Sequence, residues 1–343
     1  MHAVQLITYP DSLGGSLQSL GTVWKQYLAP YFEGGIHILP PYPSSSDRGF
    51  APITYASIDE KFGSWDDLEM IAESTFLTLD VMVNHLSARS AEFMDVLANG
   101  RQSRFAPMFL SPASVWENDE QMQQDLPRLF LRRSRAFSTY QTNDGTEQLT
   151  FWTTFGKDDP SQQIDLDVKS EITQAFLLSL LDMFASHHVS CLRLDAVGYV
   201  IKKRMSSCFF EQPEIITFLL WFKGEAEKRG ITILVEVHAP LPIQHTLSSH
   251  SFHSYDFASP MLILDALHNR DAHTLVDYIQ RRPKDMVTML DCHDGIPVYP
   301  DLDQLLDENR IQTIVSKALE RGANISPLYV QSEHALQVHQ INC

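Results

Sequence analysis

Cysteine, basic residues and long apolar runs are all scarce in this sequence. Its 343 residues include four cysteines, without Cys-x-x-Cys or His-paired spacing, which disfavours structural zinc and a disulfide framework. The 26 Lys and Arg residues stand against 43 Asp and Glu residues, and the resulting formal net charge of −17 would repel nucleic acids and anionic membranes. No run approaches the ~18 apolar residues of a membrane span, and the first residues lack a secretory signal pattern. We therefore expect a cytoplasmic protein with no nucleic acid and no membrane as partner.

Short apolar runs alternate with helix-length amphipathic stretches along most of the chain. This alternation predicts βαβ units and a parallel sheet that is covered on both faces. Seven runs qualify as strands, at residues 4–9, 36–40, 76–83, 190–194, 231–237, 254–257 and 286–290. The predicted fold class is therefore α/β, a (β/α)8 TIM barrel, and this barrel lacks its eighth strand.

The middle of the chain interrupts the alternation. Residues 86–167 are polar and rich in turn-forming residues, whereas connections in such folds usually have only about 2–6 residues. We therefore predict an inserted B domain, a lid, at residues 86–167. It would separate a first part of the barrel, at 1–85, from a second part at 168–343.

Polar side chains stand at the carboxyl ends of four predicted strands, where barrel enzymes build their active sites. They are Asp80, Asn84, His85, Arg193, Asp195, Glu236, His238, Asp291, His293 and Asp294. Three carboxylates at one barrel mouth suit retaining glycosyl transfer, with one nucleophile, one acid that later becomes a base, and one group that stabilises the sugar. A neighbouring arginine keeps such a nucleophile ionised.

Each of these residues taken alone also has a structural explanation. A single carboxylate at a strand end is more often a solvated cap or an ion-pair partner. Arg193 and Asp195 could form a buried salt bridge, and His85 and His293 could be core histidines. The succession of four motifs, each at the same end of a strand, favours an active site.

The four motifs resemble the signature regions of the α-amylase family. They read DVMVNH at 80–85, LRLDAVGY at 192–199, VEVH at 235–238 and LDCHD at 290–294. Four further motifs resemble sucrose phosphorylases within that family: VQLITY at 4–9, HILP at 37–40, DRGFAP at 47–52 and DGI at 294–296. The resemblance runs from the first strand to Cys343.

The resemblance implies a role for each matching residue. Asp195 matches the nucleophile, Glu236 the general acid/base and Asp294 the transition-state stabiliser. The residues implied to bind the glucosyl group are Asp47, Phe50, His85, Arg193, Leu194 and His293. In this family phosphate attacks a glucosyl-enzyme and yields α-glucose 1-phosphate with retained configuration. That chemistry needs neither a metal nor an organic cofactor.

A finer resemblance concerns the acceptor. The segments FLRR at 130–133, FGKDDP at 155–160, GIPV at 295–298 and VHQIN at 338–342 are most similar to the branch that cleaves sucrose 6-phosphate. Arginine forks and a histidine donor recognise phosphate well. The residues expected at the acceptor are therefore Arg132, Arg133, Gln337, Val338, His339 and Gln340. The alternative is an ordinary solvated arginine cluster at 132–135.

Three points stay open at this stage. Because sucrose phosphorylases continue through an eighth strand and a small C-terminal β domain, we expect this chain to be C-terminally truncated. Hydrolysis of small α-glucosides, or a non-catalytic sugar-binding remnant, are the alternatives to phosphorolysis. The expected partners are a small sugar and inorganic phosphate, and a homodimer is one alternative for the oligomeric state.

Overall fold

A computed structural model describes residues 4–156, 159–328 and 337–342. The chain divides into two units, Met1–Ile233 and Leu234–Cys343. None of the helices in the described ranges combines the length and the hydropathy that crossing a bilayer requires.

Parallel strands form the core of the first unit. Its strands are β1 (Leu6–Thr8), β2 (Ile36–Ile38), β3 (Leu77–Met82), β4 (His85–Ser87), β5 (Phe137–Gln141), β6 (Gln148–Trp152), β7 (Gln163–Asp165) and β8 (Cys191–Asp195). Strands β1, β2, β3 and β8 pair in parallel in that order. All six residues of β3 are buried, as expected of a strand with both faces covered.

Helices connect these strands. They are α1 (Leu17–Val23), α2 (Trp65–Ala72), α3 (Ala91–Asn99), α4 (Asp119–Asp125), α5 (Glu171–Ser186) and α6 (Glu214–Glu227). Helix α2 begins at a capping box, in which the Ser64 hydroxyl accepts from the backbone N–H of Asp67 and the Asp67 carboxylate accepts from that of Ser64. Such reciprocal caps satisfy two backbone donors that a helix start would otherwise leave unpaired.

The first helix is shorter than its amphipathic pattern predicts. The pattern extends over 17–32, but the α-helix ends at Val23 and continues as a π-helical segment, Trp24–Leu28, and a 3₁₀ turn, Ala29–Tyr31. Pro30 lies in that turn and has no backbone N–H to donate, which interrupts helical hydrogen bonding at the end of the segment.

The predicted insertion consists of short elements around its own aromatic core. Strand β4 pairs with β7, and β5 pairs with β6, both antiparallel. Trp116 and Trp152 stack with ring centroids 5.4 Å apart, and Phe137 packs edge-on against Trp152 at 4.8 Å. The bounds 86–167 of a separate domain stay a prediction.

The second unit holds the last parallel strands and a small antiparallel sheet. Strand β9 (Thr232–Val235) spans the border of the units, and the remaining strands are β10 (His253–Asp256), β11 (Met286–Thr288), β12 (Ile296–Pro297), β13 (Asn324–Leu328) and β14 (Gln337–Asn342). Strands β9, β10 and β11 pair in parallel in that order. Strand β14 is the centre of an antiparallel sheet, between β12 and β13. The helices are α7 (Leu241–Ser249), α8 (Ser259–Asn269), α9 (His273–Arg281) and α10 (Glu308–Glu320).

All seven predicted parallel strands are found among the described residues, most with slightly shorter ends. The antiparallel sheet β12–β14–β13 and helix α10 were not predicted. These elements follow β11, where the sequence offers no clear apolar run to mark a strand.

Candidate active site

The carboxylate of Asp195 is held at the end of β8. Because side chains alternate along a strand, Arg193 and Asp195 project from the same face. Arg193 Nη1 lies 2.9 Å from Asp195 Oδ1, and the same nitrogen donates to Asp80 Oδ1. The Asp195 side chain keeps 15% of its surface exposed, whereas Asp80 is fully buried. The arrangement stabilises the carboxylate form of Asp195 and leaves it accessible.

Asp80 organises the buried side of this cluster. Its Oδ2 lies 2.7 Å from Nε2 of His37, and neither side chain is exposed. The Tyr42 hydroxyl donates to the backbone oxygen of Asp80 at 3.1 Å. With one oxygen bound to His37 and the other to Arg193, Asp80 fixes the guanidinium beside Asp195.

A left-handed turn carries Asp47 towards Phe50. Three consecutive residues have positive φ angles, 55° at Asp47, 48° at Arg48 and 112° at Gly49. A Cβ atom at Gly49 would lie 2.5 Å from the backbone oxygen of Pro40, so this position requires glycine. Gln163 Nε2 donates to Asp47 Oδ2 at 3.2 Å, which ties the turn to β7.

His85 is buried beside the same turn as a neutral imidazole. Its Nε2 lies 2.7 Å from the backbone oxygen of Phe50, and since a carbonyl only accepts, Nε2 carries the proton. Burial lowers the pKa of His85, so Nδ1 is a lone-pair acceptor at neutral pH. Nδ1 is buried and has no hydrogen-bond partner within the described part of the chain. A sugar hydroxyl is a suitable hydrogen-bond donor to this atom.

In the second unit, Glu236 follows β9 and belongs to a chain of ionisable groups. His238 Nε2 lies 3.2 Å from Glu236 Oε1, and His238 Nδ1 lies 2.8 Å from Asp301 Oδ2. The imidazole ring stacks on Phe257 with ring centroids 3.9 Å apart. Burial by itself lowers the pKa of His238, but the carboxylates of Asp301 and Glu236 outweigh it and raise the pKa to about 9. His238 is therefore an imidazolium at neutral pH.

Asp294 lies in a turn beyond β11. Its side chain is 48% exposed, and its Oδ1 lies 3.6 Å from Nε2 of the mostly buried His293. Gly295 follows with a φ of 106°, and a Cβ there would lie 2.4 Å from the backbone oxygen of Ile341. The close approach of β14 therefore fixes the backbone immediately after Asp294.

The two groups of expected acceptor residues lie in different units. In the first unit, Arg133 is half-buried and donates to the hydroxyls of Ser138 and Thr153. Burial lowers its pKa to about 10. Its Nε atom is buried without a hydrogen-bond partner, and within the described ranges no carboxylate forms an ion pair with Arg133. A half-buried guanidinium whose Nε–H has no partner among the described residues is suited to binding an anion.

The second group lies on β14. His339 is buried, its Nδ1 lies 2.6 Å from the backbone oxygen of Tyr299, and its ring packs edge-on against His238 at 4.9 Å. Val338 and Gln340 are also buried. Gln337 is the first residue of the strand, and its side chain lies outside the described residues, as do Lys157 and Asp158 of the predicted acceptor segment.

Comparison with known proteins agrees with this geometry. The profile of the α-amylase catalytic domain matches residues 25–254. The sucrose 6(F)-phosphate phosphorylase of Thermoanaerobacterium thermosaccharolyticum is 49% identical over 99% of this chain and 70% of its own length. The chain belongs to the sucrose phosphorylases of the α-amylase family.

Two further comparisons support this assignment. The sucrose phosphorylase of Streptococcus mutans is 35% identical over all of this chain and 70% of its own length. The crystal structure of a sucrose 6F-phosphate phosphorylase from Thermoanaerobacter thermosaccharolyticum superposes with a TM-score of 0.95 at 49% identity, over 99% of this chain and 69% of that one. The predicted family and fold class, a barrel of the α-amylase type, are thus confirmed.

The roles of the individual residues remain proposals within this family. Arg193 contacts Asp195 as the resemblance implies, and the ring of Phe50 lies 5.8 Å from the Arg193 guanidinium carbon. Leu194 is fully buried and points away from Asp195 by strand alternation. Arg132 is partly exposed in the segment beside Arg133.

Sequence reasoning missed three residues that support the site. His37 contacts Asp80, and Asp301 contacts His238. Each lies far in sequence from its partner and outside the motif that contains that partner. Lys202 is a buried cation whose Nζ lies 3.0 Å from Asp165 Oδ2. A lysine followed by another lysine resembles a solvated surface pair, so the sequence held no signal for its burial.

Proposed function

We propose that this protein is a retaining phosphorylase that cleaves sucrose 6-phosphate with inorganic phosphate. The products are α-D-glucose 1-phosphate and fructose 6-phosphate. The sucrose phosphorylase family supports the broader activity on sucrose-type substrates. The finer choice of substrate rests on the acceptor residues and on the 49% identity to a sucrose 6(F)-phosphate phosphorylase.

The reaction would proceed by double displacement. Asp195 attacks the anomeric carbon while Glu236 donates its proton to the departing fructosyl oxygen, which leaves a glucosyl ester on Asp195. Phosphate then attacks the same carbon as Glu236 takes back a proton, and the ester bond to Asp195 breaks. Two inversions retain the α-configuration. Asp294 would bind the sugar hydroxyls most tightly in the transition states.

The observation that carries this proposal is the contact between Arg193 and Asp195. A nucleophilic carboxylate must be ionised, oriented and reachable. The 2.9 Å bond from Arg193 orients Asp195 and favours its charged form, and the 15% exposure leaves it reachable. The neutral His85, with Nδ1 as an acceptor, supports recognition of a glucosyl hydroxyl beside it.

The half-buried Arg133 supports a phosphorylated acceptor. An exposed arginine would be solvated and an ordinary structural one would be paired with a carboxylate, but Arg133 contacts only hydroxyls among the described side chains. A phosphate group would satisfy its remaining donors. Nδ1 of His339 donates to the backbone oxygen of Tyr299, so His339 would offer Nε2–H to the phosphate in its doubly protonated form.

Substrate comparison tests the acceptor. Each charge-assisted hydrogen bond to the 6-phosphate contributes roughly 1.5–3 kcal/mol, so Arg133→Ala should lower kcat/KM for sucrose 6-phosphate by about 10- to 150-fold. His339→Tyr should act in the same direction. Both variants should change kcat/KM for sucrose little, because the glucosyl contacts are untouched. Arg135→Ala, at an exposed position of the same cluster, is the matched control.

The measurement follows release of glucose 1-phosphate and of free glucose with both sugars. Equal losses on both sugars in Arg133→Ala would mean a structural role for Arg133. A wild-type preference for unphosphorylated sucrose would refute the acceptor assignment. Free glucose as the main product in the presence of phosphate would favour the hydrolytic alternative.

A further inference from the structure

A buried aspartate outside the matched motifs is linked to the proposed acid/base by a single imidazole. Asp301 is only 2% exposed, and its Oδ2 lies 2.8 Å from His238 Nδ1. Its other oxygen accepts from the backbone N–H of Ala239 at 3.1 Å. On the opposite side of the ring, His238 Nε2 lies 3.2 Å from Glu236 Oε1.

We propose that Asp301 is a positioning residue that acts through His238 on the carboxyl group of Glu236. It holds His238 in the doubly protonated form and in one orientation, so that Nε2–H always points at Glu236 Oε1. The inference rests on the proposed function, in which Glu236 exchanges a proton with the substrate. None of the matched motifs contains Asp301.

The protonation of His238 follows from its two partners. An ionised carboxylate only accepts hydrogen bonds, so the contact with Asp301 places a proton on Nδ1 of His238. Once Glu236 has given its proton to the substrate, its contact with His238 likewise requires a proton on Nε2. If His238 were neutral with its proton on Nδ1, the lone pair on Nε2 would draw the proton of Glu236 towards His238. Asp301 prevents that state because it stabilises the second proton.

Two aromatic rings pack against the imidazole of His238. Phe257 covers one face at 3.9 Å, and His339 meets the ring edge-on at 4.9 Å. Among the described residues of this unit, the titratable groups that contact His238 are Asp301, Glu236 and His339. Burial lowers the pKa of His238, and Asp301 contributes the largest effect in the opposite direction.

Comparing two leaving groups separates this role from a general structural one. Fluoride departs without protonation, so α-D-glucosyl fluoride reports on the nucleophile but not on the acid. Asp301→Asn should lower kcat/KM for the sucrose-type substrate by about 10- to 100-fold, a part of the 10²- to 10⁴-fold that acid–base catalysis contributes. With glucosyl fluoride, kcat/KM should fall by less than about threefold, because fluoride departs without help from the acid.

Asp303→Asn is the matched control, since Asp303 is exposed two residues further along the same segment. It should leave both substrates unaffected. Equal losses on both substrates in Asp301→Asn, or no loss on either, would overturn the proposal. In a His238→Gln background, Asp301→Asn should add little further loss, because the two residues act in series.

Titration of His238 by NMR gives a readout that is independent of turnover. In the wild-type protein the imidazole should stay doubly protonated at neutral pH, and in Asp301→Asn it should become neutral there. A neutral His238 in the wild-type protein would overturn the proposal even if the variant does not fold. If Glu236→Gln lowers kcat/KM equally for both substrates, the proposed role of Glu236 fails instead. This variant therefore distinguishes failure of the proposed function from failure of the inference about Asp301.

Discussion

Arg193 donates a hydrogen bond of 2.9 Å to Asp195, which lies two residues further along the same strand. The same guanidinium also donates a hydrogen bond to the fully buried Asp80. Asp195 is therefore not needed to keep Arg193 paired, and its charge is available for chemistry. This asymmetry is expected of a nucleophile and leads to the first prediction.

Asp195→Asn should abolish most of the phosphorolytic activity while the protein still folds. Loss of the nucleophile should lower kcat by about 10⁴-fold or more. Folding should survive because Arg193 keeps Asp80 as its partner. Steady-state release of glucose 1-phosphate and circular dichroism check the two parts. Asp182→Asn, at an exposed position on α5, is the control, and near-normal turnover by Asp195→Asn would exclude Asp195 as nucleophile.

Glu236→Gln should separate substrates by their leaving groups. A glutamine cannot donate a proton, so the loss on sucrose 6-phosphate or sucrose should approach the 10²- to 10⁴-fold that general acid catalysis typically contributes. Glucosyl fluoride should retain much of its rate of glucosylation, measured as the first-turnover release of fluoride. Equal losses on the two kinds of substrate would mean that Glu236 is structural.

Lys202→Met should destabilise the first unit strongly. Lys202 Nζ lies 3.0 Å from Asp165 Oδ2 and donates to Thr154 Oγ1 and to the backbone oxygen of Tyr199. Removing one partner of a buried pair leaves an uncompensated charge and costs about 3–5 kcal/mol. Denaturant unfolding would measure this change.

The neighbouring Lys203→Met is the control for that experiment. Lys203 pairs with Glu214 on the surface, where screening by solvent leaves an ion pair with little effect on stability. Similar shifts in the unfolding midpoint for Lys202→Met and Lys203→Met would contradict the buried ion pair.

His238 should make the free energy of unfolding depend on pH. Its pKa is about 9 in the folded protein, above the value near 6.5 of an unfolded chain. The folded state thus binds the proton more tightly, and this stabilisation is complete below about pH 6.5 and lost as the pH rises through the folded pKa. It amounts to about 3 kcal/mol at most.

Denaturant unfolding at about pH 6 and about pH 9.5, on either side of the two pKa values, checks this prediction. The decrease in stability should be larger for the wild-type protein than for His238→Gln. An identical decrease in both proteins would mean that His238 is not an imidazolium in the folded state.

The sequence predicted the parallel strands because they are buried on both faces and therefore appear as continuous apolar runs. It also predicted the contact between Arg193 and Asp195, since residues two apart on a strand share a face. A local pattern of residues was sufficient for both predictions. The ends of the predicted strands also indicated Glu236 and Asp294, and the family motifs added their individual roles, which stay predictions.

The elements and site residues that were not predicted depend on contacts between residues far apart in the chain. Asp301 reaches His238 across 63 positions, and His37 reaches Asp80 across 43. Strand β14 is placed by pairing with β12 and β13 rather than by its own composition. Burial of Lys202 likewise depends on Asp165 and Thr154, so no local pattern distinguishes it from the exposed Lys203.

The covalent intermediate on Asp195 gives the most direct test of the proposed function. Glu236→Gln should be incubated with α-D-glucosyl fluoride without phosphate, digested with a protease at low pH, and analysed by mass spectrometry. We expect the mass of one glucosyl group on the peptide that contains Asp195, and no such mass when Asp195 is also replaced by asparagine. A protein that turns over but carries no label, or carries it on another residue, would contradict the account.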